Sequence, residues 1–500
     1  MPACHPMPVI APSTGMTIVG SYQGLKGGSV RVDAITQDAV PPARPWPLVI
    51  AVALLLCFLL LFWPGIASYD TVVQYQQLLS GSYDDWHPPV MARLWSTLPF
   101  ARHGTAPMFV LQLSAYWIGL GLLARTFGGR RAIALLAIGA TPFLSGWIAV
   151  VIKDSQLIGA LALATGLVSH YRLRRQPVPT PALILIILCL AYATLVRANA
   201  IFSTVPLAML LLARPQSGLA RLGVMIAAIP AVLLLSQPVN HGLFGAQDSG
   251  VRRTQPLYDL AGIAVRTGDG TGSGLSMTAI EALRRHDCVR PLFWDSLGSA
   301  PGCQSAIGPM EKAPIGPLYL QLAMAAARHP IAYLTHRAVH LNSTERWLVP
   351  RHWPLAAPPA RAEPNDVGLA NPDNPLVPAW QGWAAWLTET PLAWPILWTA
   401  AALWGLWASL AMASGGARDM ALALFTSALF QEASFVGISI SSDLRYHLWP
   451  MLATALGWLF LGRPALRGWR VAGPAIALLL LCGGIARFTL PPVPPHYAEL

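Results

Sequence analysis

Between Asp70 and His87 the sequence places four groups able to hold a proton: Asp70, Asp84, Asp85 and His87. They crowd into eighteen residues of a 500-residue chain in which only 11% of residues are charged. Carboxylates and an imidazole at that density suit general-base work or the binding of hydroxyl groups. The alternative is that they cap helices. Pro88 and Pro89 suit a helix start, because proline lacks an amide that the first turn does not use. Val90, Met91, Leu94, Trp95 and Leu98 follow at helical spacing.

Three further polar clusters interrupt apolar sequence. They are Lys153-Asp154, Arg197 with Asn199, and Ser442 to His447, which holds Asp443, Arg445 and Tyr446. Each could be a snorkelling anchor or a local ion pair at a helix end. An Arg in a short turn also suits an anionic partner, since its planar fork binds phosphate through two parallel hydrogen bonds.

The elements that must position these groups are membrane helices. Hydrophobic residues make up 54% of the chain and the mean hydropathy is +0.50, which excludes an ordinary water-soluble enzyme. The apolar residues come in blocks about the length that crosses a bilayer core. Spans are expected near 46–66, 107–125, 132–152, 156–171, 181–196, 201–212, 222–239, 392–413, 422–440, 448–461 and 471–488. The expected fold is therefore an all-α polytopic membrane protein with about eleven spans. The net charge of +11 does not indicate nucleic acid, because the basic residues lie in short loops rather than one patch.

Charge bias sets the expected orientation. With the N-terminus in the cytoplasm, inside segments hold fifteen Lys and Arg and short outside segments hold six. Cytoplasmic loops carry that excess. Asp70, Asp84, Asp85, Asp154 and Asp443 then all fall outside, and Asp33, Asp38 and Asp419 inside. The layout reads as a flexible cytoplasmic tail (1–45), an N-terminal membrane module (46–240) whose first outer loop (67–105) carries the chemistry, an outer domain (241–390), a C-terminal membrane module (391–490) and an outer tail (491–500). The expected location is a bacterial inner membrane with the long loop and the C-terminus in the periplasm. Glu432 would lie within a span, where a carboxylate is costly.

In the outer domain, 318–328 and 331–348 read as amphipathic helices, 258–265 as helix or strand, and 351–380 as an irregular lid. Gly268 to Gly274 lacks the lysine of a phosphate loop, so no nucleotide role is assigned. Asn342-Ser343-Thr344 fits a glycosylation acceptor but sits inside an expected helix. Cys288 and Cys303 are the only cysteines of this loop; an oxidising compartment favours a disulfide, and two free thiols are the alternative. No Cys or His cluster has zinc spacing, and His336 and His340 lack a nearby third ligand. Trp380, Trp383 and Trp386 read as one interfacial helix.

The stretch Asp70…Asp84-Asp85-Trp86-His87-Pro88-Pro89 resembles the first outer loop of the GT-C superfamily of integral-membrane glycosyltransferases, which includes protein O-mannosyltransferases, aminoarabinose transferases and oligosaccharyltransferases. Arg445-Tyr446…Pro450 and His329-Pro330-Ile331-Ala332-Tyr333-Leu334 look like later motifs of the same group. The resemblance implies a polyprenyl-phosphate-sugar donor and a glycan, lipid or protein acceptor, met among membrane lipids. Asp70 would be the general base. Asp84, Asp85 and His87 would bind sugar or acceptor groups, and Lys153, Arg197 and Arg445 would neutralise the leaving phosphate. Asp154, Asn199, Asp443 and Tyr446 would complete the binding surface. Thr71 stands where many members have a second acid, so no cofactor is carried over; a divalent metal is compatible with the family but gets no support from this sequence. Two other functions stay open: a transporter or flippase of a lipid-linked glycan, and a polysaccharide polymerase or ligase.

Overall fold

The computed structural model describes residues 45–212, 218–462 and 468–497. The expected tail, up to residue 44, lies outside the described residues. Among the described residues all regular structure is helical, with three isolated bridges between extended segments.

Helix α1 (Trp46–Phe62) is apolar throughout and ends where Pro64 and Gly65 break it. Two short helices follow, α2 (Tyr69–Ser80) and α3 (Val90–Thr97). The next helices are α4 (Ala106–Phe127), α5 (Gly129–Gly139), α6 (Pro142–Ile148), α7 (Lys153–Arg172), α8 (Thr180–Val196), α9 (Ile201–Leu212) and α10 (Gly218–Pro238). A helical cap follows: α11 (Val251–Thr267), α12 (Met277–Arg285), α13 (Asp295–Ser299), α14 (Pro301–Glu311), α15 (Ile315–Arg328) and α16 (Pro330–Thr344). The chain ends in α17 (Val377–Thr388), α18 (Pro395–Ser409), α19 (Gly416–Ile438), α20 (Leu448–Leu461) and α21 (Trp469–Thr489).

Four helices among the described residues are long and apolar enough to cross a bilayer: Ala106–Phe127, Gly218–Leu243, Gly416–Ile438 and Trp469–Thr489. The count is five if the bent pair α5 and α6 is one span. The helices α1 and α8 are apolar but shorter. On α10 and α21 the apolar side chains face outward, with Leu234 75% and Phe488 76% exposed. Apolar faces of that extent need a partner other than water, and they mark a membrane protein.

One expected span is not continuous. Residues 132–152 split into α5 and α6, bent by 58° at Thr141-Pro142. Pro142 opens α6 and cannot continue the α5 ladder. Ala149 caps α6 in helical conformation, residues 150–152 leave the helix, and their backbone is satisfied internally. Ile66 donates to Ala149 O at 3.0 Å and Val151 to Ile66 O at 2.9 Å. The Gln112 amide donates to Ile148 O at 2.7 Å and Val150 O at 3.0 Å. Irregular backbone among membrane helices survives where protein surrounds it.

The α4–α7 contact is close enough to exclude side chains. A Cβ at Gly166 would collide with the Gly119 backbone, and one at Gly119 with Ala162. Small residues at such a seam let helices approach without solvent-driven packing.

The cap has its own apolar core around Leu257, Tyr258, Leu260, Ile280, Leu297 and Leu318. Segment 258–265, open between helix and strand in the sequence, is helix; α12, α13 and α14 were not foreseen. Cys288 and Cys303 form a disulfide that closes the loop holding α13. His336 and His340 make contacts inside the cap and to the end of α19. His336 Nε2 faces Asp259 Oδ1 at 3.3 Å, and His340 contacts Pro291 O at 2.7 Å and Ser439 Oγ at 3.0 Å. Arg337 joins Asp259 at 3.0 Å and donates to Ser439 O at 2.6 Å and to Gly437 O, capping the end of α19.

Candidate functional site

Two short extended segments set the site. Residues 66–68 lead into α2 and 150–152 into α7, and the pairing of Ile66 with Val150 puts Asp70 and Lys153 side by side. Ser68 and Thr71 lock this start: Ser68 N donates to Thr71 Oγ1 at 2.9 Å, and Thr71 Oγ1 donates to Val151 O at 2.6 Å. Thr71 therefore has a structural task that a carboxylate could not perform, because the group must donate to a carbonyl. Asp70 lies in the first turn of α2, where a negative charge meets the helix dipole favourably.

The polar clusters converge at one end of the bundle. Lys153 Nζ lies 3.2 Å from Asp70 Oδ2, and Arg445 Nη2 lies 3.5 Å from the same oxygen. Arg445 Nε reaches Asp443 Oδ2 at 2.8 Å and Asp154 Oδ2 at 3.7 Å. Arg197 pairs with Asp154 and donates to Asn199 Oδ1 at 2.9 Å. Tyr446 lies under both guanidiniums, 3.7 Å from Arg197 and 5.6 Å from Arg445. At the opposite ends of α7 and α19, Arg172 and Asp419 pair at 3.8 Å, so the two ends of the bundle are chemically distinct.

Asp70, Asp154, Arg197 and Asp443 are all buried. Three cations against three carboxylates leave the buried network close to neutral, which offsets much of the desolvation cost of each charge. Burial alone would raise the Asp70 carboxyl, but Arg445 and Lys153 outweigh it and hold the group well below the usual carboxylate range. His87 is pushed down to about 3, by burial first and then by Lys153. It is therefore neutral near pH 7 and accepts from Lys153 Nζ at Nδ1, 2.9 Å away. Its Nε2 then carries the proton, buried and without a hydrogen-bond partner among the described residues. That leaves a buried donor beside Asp70 and Lys153.

Asp84 and Asp85 stand outside this network and brace it. Asp84 Oδ1 accepts from Trp86 N at 3.0 Å, and its backbone bridges to Gln247. Asp85 Oδ1 accepts from Ser249 N at 2.7 Å and Oγ at 2.6 Å, and Oδ2 lies 3.5 Å from His241 Nε2. Both tie the loop before α3 to the chain leaving α10. The lid segment also reaches the site's edge. Glu363 N donates to Ala67 O at 2.8 Å, Leu444 N to Leu355 O at 2.9 Å, and the Trp147 indole to Ala356 O at 3.2 Å.

Two acidic residues were not singled out as site candidates. Asp295 enters from the cap, within reach of the Asp70 charge. Glu345, at the end of α16, faces Glu432, whose carboxylate is 2.8 Å from His447 Nδ1. The costly Glu432 thus has its partner at the N-cap of α20. No local pattern around Asp295 or Glu345 announces either contact.

Among the described residues no group of three or more His, Cys, Asp and Glu side chains is arranged to hold a metal. The clustered carboxylates face Lys and Arg instead, so this donor set does not fit a divalent ion, and no step is routed through one. Comparison with protein-family models, with curated proteins and with solved structures found no match for this chain.

Proposed function

We propose that the chain is a membrane glycosyltransferase of GT-C type. It transfers a sugar from a polyprenyl-phosphate donor to an acceptor hydroxyl at the outer face of the membrane. The observation that carries the reading is the gathering of Lys153, Arg197 and Arg445 around Asp70, with the unpartnered His87 donor beside them. In this reading the chain crosses an inner membrane about eleven times, its N-terminus in the cytoplasm and its cap in the periplasm.

Fixed cations in a poorly hydrated site stabilise the charge that develops on a departing phosphate. The donor phosphate competes with Asp70 for Lys153 and Arg445. As they turn to the phosphate, the Asp70 carboxylate loses its two counter-ions and becomes basic enough to take the acceptor's proton. The acceptor oxygen bonds to the anomeric carbon, and the anomeric carbon–phosphate oxygen bond breaks. His87 Nε2 donates to a sugar hydroxyl or to the leaving oxygen.

A second reading, movement of a lipid-linked glycan without chemistry, draws on Glu432, an ionisable group buried in α19. One experiment separates the two. Membranes carrying wild type or Asp70→Asn are supplied with radiolabelled polyprenyl-phosphate sugar, and label on the acceptor is counted. Loss of about a hundredfold or more in transfer with donor binding retained supports the enzyme; unchanged transfer by Asp70→Asn rejects Asp70 as base.

A further inference from the structure

Asp295 is more than two hundred residues from Asp70 in the chain, yet the fold brings it near enough for the Asp70 charge to act on it. The strand-like segment before it pairs with the segment before Asp443. Ser442 N donates to Leu292 O at 2.8 Å, and Trp294 N donates to Ile440 O at 3.0 Å. The pairing is antiparallel, so the two segments leave it in opposite directions: one runs on to Asp295, which opens α13, and the other to Asp443 and Arg445, in the turn before α20. The Trp294 ring lies 6.4 Å from that of Trp86, on the loop that carries His87. The cap and the first loop after α1 therefore meet beside Asp295.

Its surroundings differ from those of the other site carboxylates. Asp70, Asp154 and Asp443 each have a Lys or Arg within ion-pair distance. Asp295 has none among the described residues; its side-chain partner is the neighbouring Trp294. The charged groups on the adjoining elements are engaged elsewhere. Arg445 is 2.8 Å from Asp443, and His87 is held by Lys153. The helix packed against α13 carries Glu311 only at its far end. Burial, and then the charge of Asp70, push the Asp295 carboxyl up to about 6.

We propose that Asp295 is the acceptor-binding carboxylate of the site: it accepts a hydrogen bond from a second hydroxyl of the acceptor and so aims the attacking oxygen, whose own proton goes to Asp70, at the anomeric carbon, on the side of the site away from Lys153 and Arg445. The proposal rests on the glycosyl-transfer reading. It divides the two acids by their surroundings, with Asp70 among the cations that meet the donor phosphate and Asp295 free of cations, where a neutral hydroxyl is the suitable partner. A hydroxyl bound to an ionised carboxylate is also held more strongly than one bound to a neutral group.

The test uses full-length protein in membranes. Transfer of radiolabelled sugar from polyprenyl phosphate to the membranes' own acceptors is followed from pH 5 to 8, and binding of undecaprenyl phosphate is measured in parallel. Wild type is expected to lose rate as the pH falls through about 6, where Asp295 takes up a proton. Asp295→Asn is expected to transfer about tenfold to a hundredfold more slowly, without that acidic limb and with unchanged undecaprenyl phosphate binding. Asp295→Glu, which keeps a carboxylate, restores the limb and part of the rate. Wild-type rates in Asp295→Asn, or an acidic limb that survives in it, overturn the proposal. So does loss of undecaprenyl phosphate binding, which would put Asp295 on the donor side or in the frame of the fold. A wild type that transfers nothing overturns the glycosyl-transfer reading itself and this proposal with it.

Discussion

Lys153 Nζ lies 3.2 Å from Asp70 Oδ2 and, on its other side, 2.9 Å from His87 Nδ1. One ammonium thus holds the candidate base and fixes which nitrogen of the imidazole carries the proton. The arrangement depends on the pairing of residues 66 and 150, since that pairing sets the two helix starts side by side. A cation held by two partners in the free protein is also a cation that a third, more highly charged partner can claim.

Arg445 is the position where a conservative substitution is expected to fail. Its guanidinium reaches Asp70, Asp154 and Asp443 together, and a lysine offers no fork to do so. Arg445→Lys is expected to cut transfer at least about tenfold, because a point charge cannot replace a two-point contact to phosphate. Arg445→Ala leaves three buried carboxylates without this partner, and unfolding in detergent should show a loss of about 3 kcal/mol or more. A variant with both rate and melting temperature intact would show that Arg445 is not the centre of the network.

His87 gives a pH dependence of definite sign. Its pKa is about 3 in the folded protein, against about 6.5 in an unfolded chain. Between those values the unfolded chain binds the extra proton, so this contribution is complete above about pH 6.5 and is lost as the pH falls toward 3. Melting temperatures in detergent should fall over that window. His87→Gln, which keeps a hydrogen-bonding side chain without the titration, should show a shallower fall. Equal slopes would mean that His87 is solvated in the native state.

Much of this was legible in advance, and the reasons are physical. Apolarity and length mark helices, so ten of the segments expected as spans coincide with helices to within about six residues, and four or five helices among the described residues are long and apolar enough to cross a bilayer. Lys153, Arg197 and Arg445 were expected on one side of the membrane from alternation along the chain, and their side chains do converge on one cluster of carboxylates. The break at Thr141-Pro142 was not legible, because hydropathy runs through it and the groups that satisfy the backbone beyond it, Ile66, Thr71 and Gln112, are distant in sequence. The contacts that Asp84 and Asp85 make to Gln247 and Ser249 were not legible, because those partners are distant in sequence. Asp295 stayed hidden for the same reason, since it depends on Phe293 pairing with Ser441.

The α4–α7 seam should be intolerant of volume. Gly166→Val places branched carbons against the Gly119 backbone, which has no side chain to move aside. Overpacking of this kind costs about 1–3 kcal/mol, read as a lower melting temperature in detergent. Unchanged stability would place the two helices further apart.

The Cys288–Cys303 bridge closes a fifteen-residue separation around α13. Replacing both with serine should destabilise the cap by about 3 kcal/mol on the chain-entropy account. Because the loop carries Asp295, transfer should fall more than donor binding does. Peptide mass spectrometry under non-reducing conditions checks the bridge, and two alkylatable thiols in the native protein would refute it.

The most direct measurement is a comparison of undecaprenyl phosphate with undecaprenol, which has the same chain and no phosphate, for binding to wild type and to Lys153→Ala, Arg197→Ala and Arg445→Ala. The expected result is that wild type prefers the phosphate by at least about tenfold, the scale of one charge-assisted contact, and that each substitution erodes this preference while leaving the affinity for undecaprenol alone. Equal affinity of wild type for the two lipids, or a preference that survives loss of all three cations, would contradict the assignment of this cluster to a lipid phosphate.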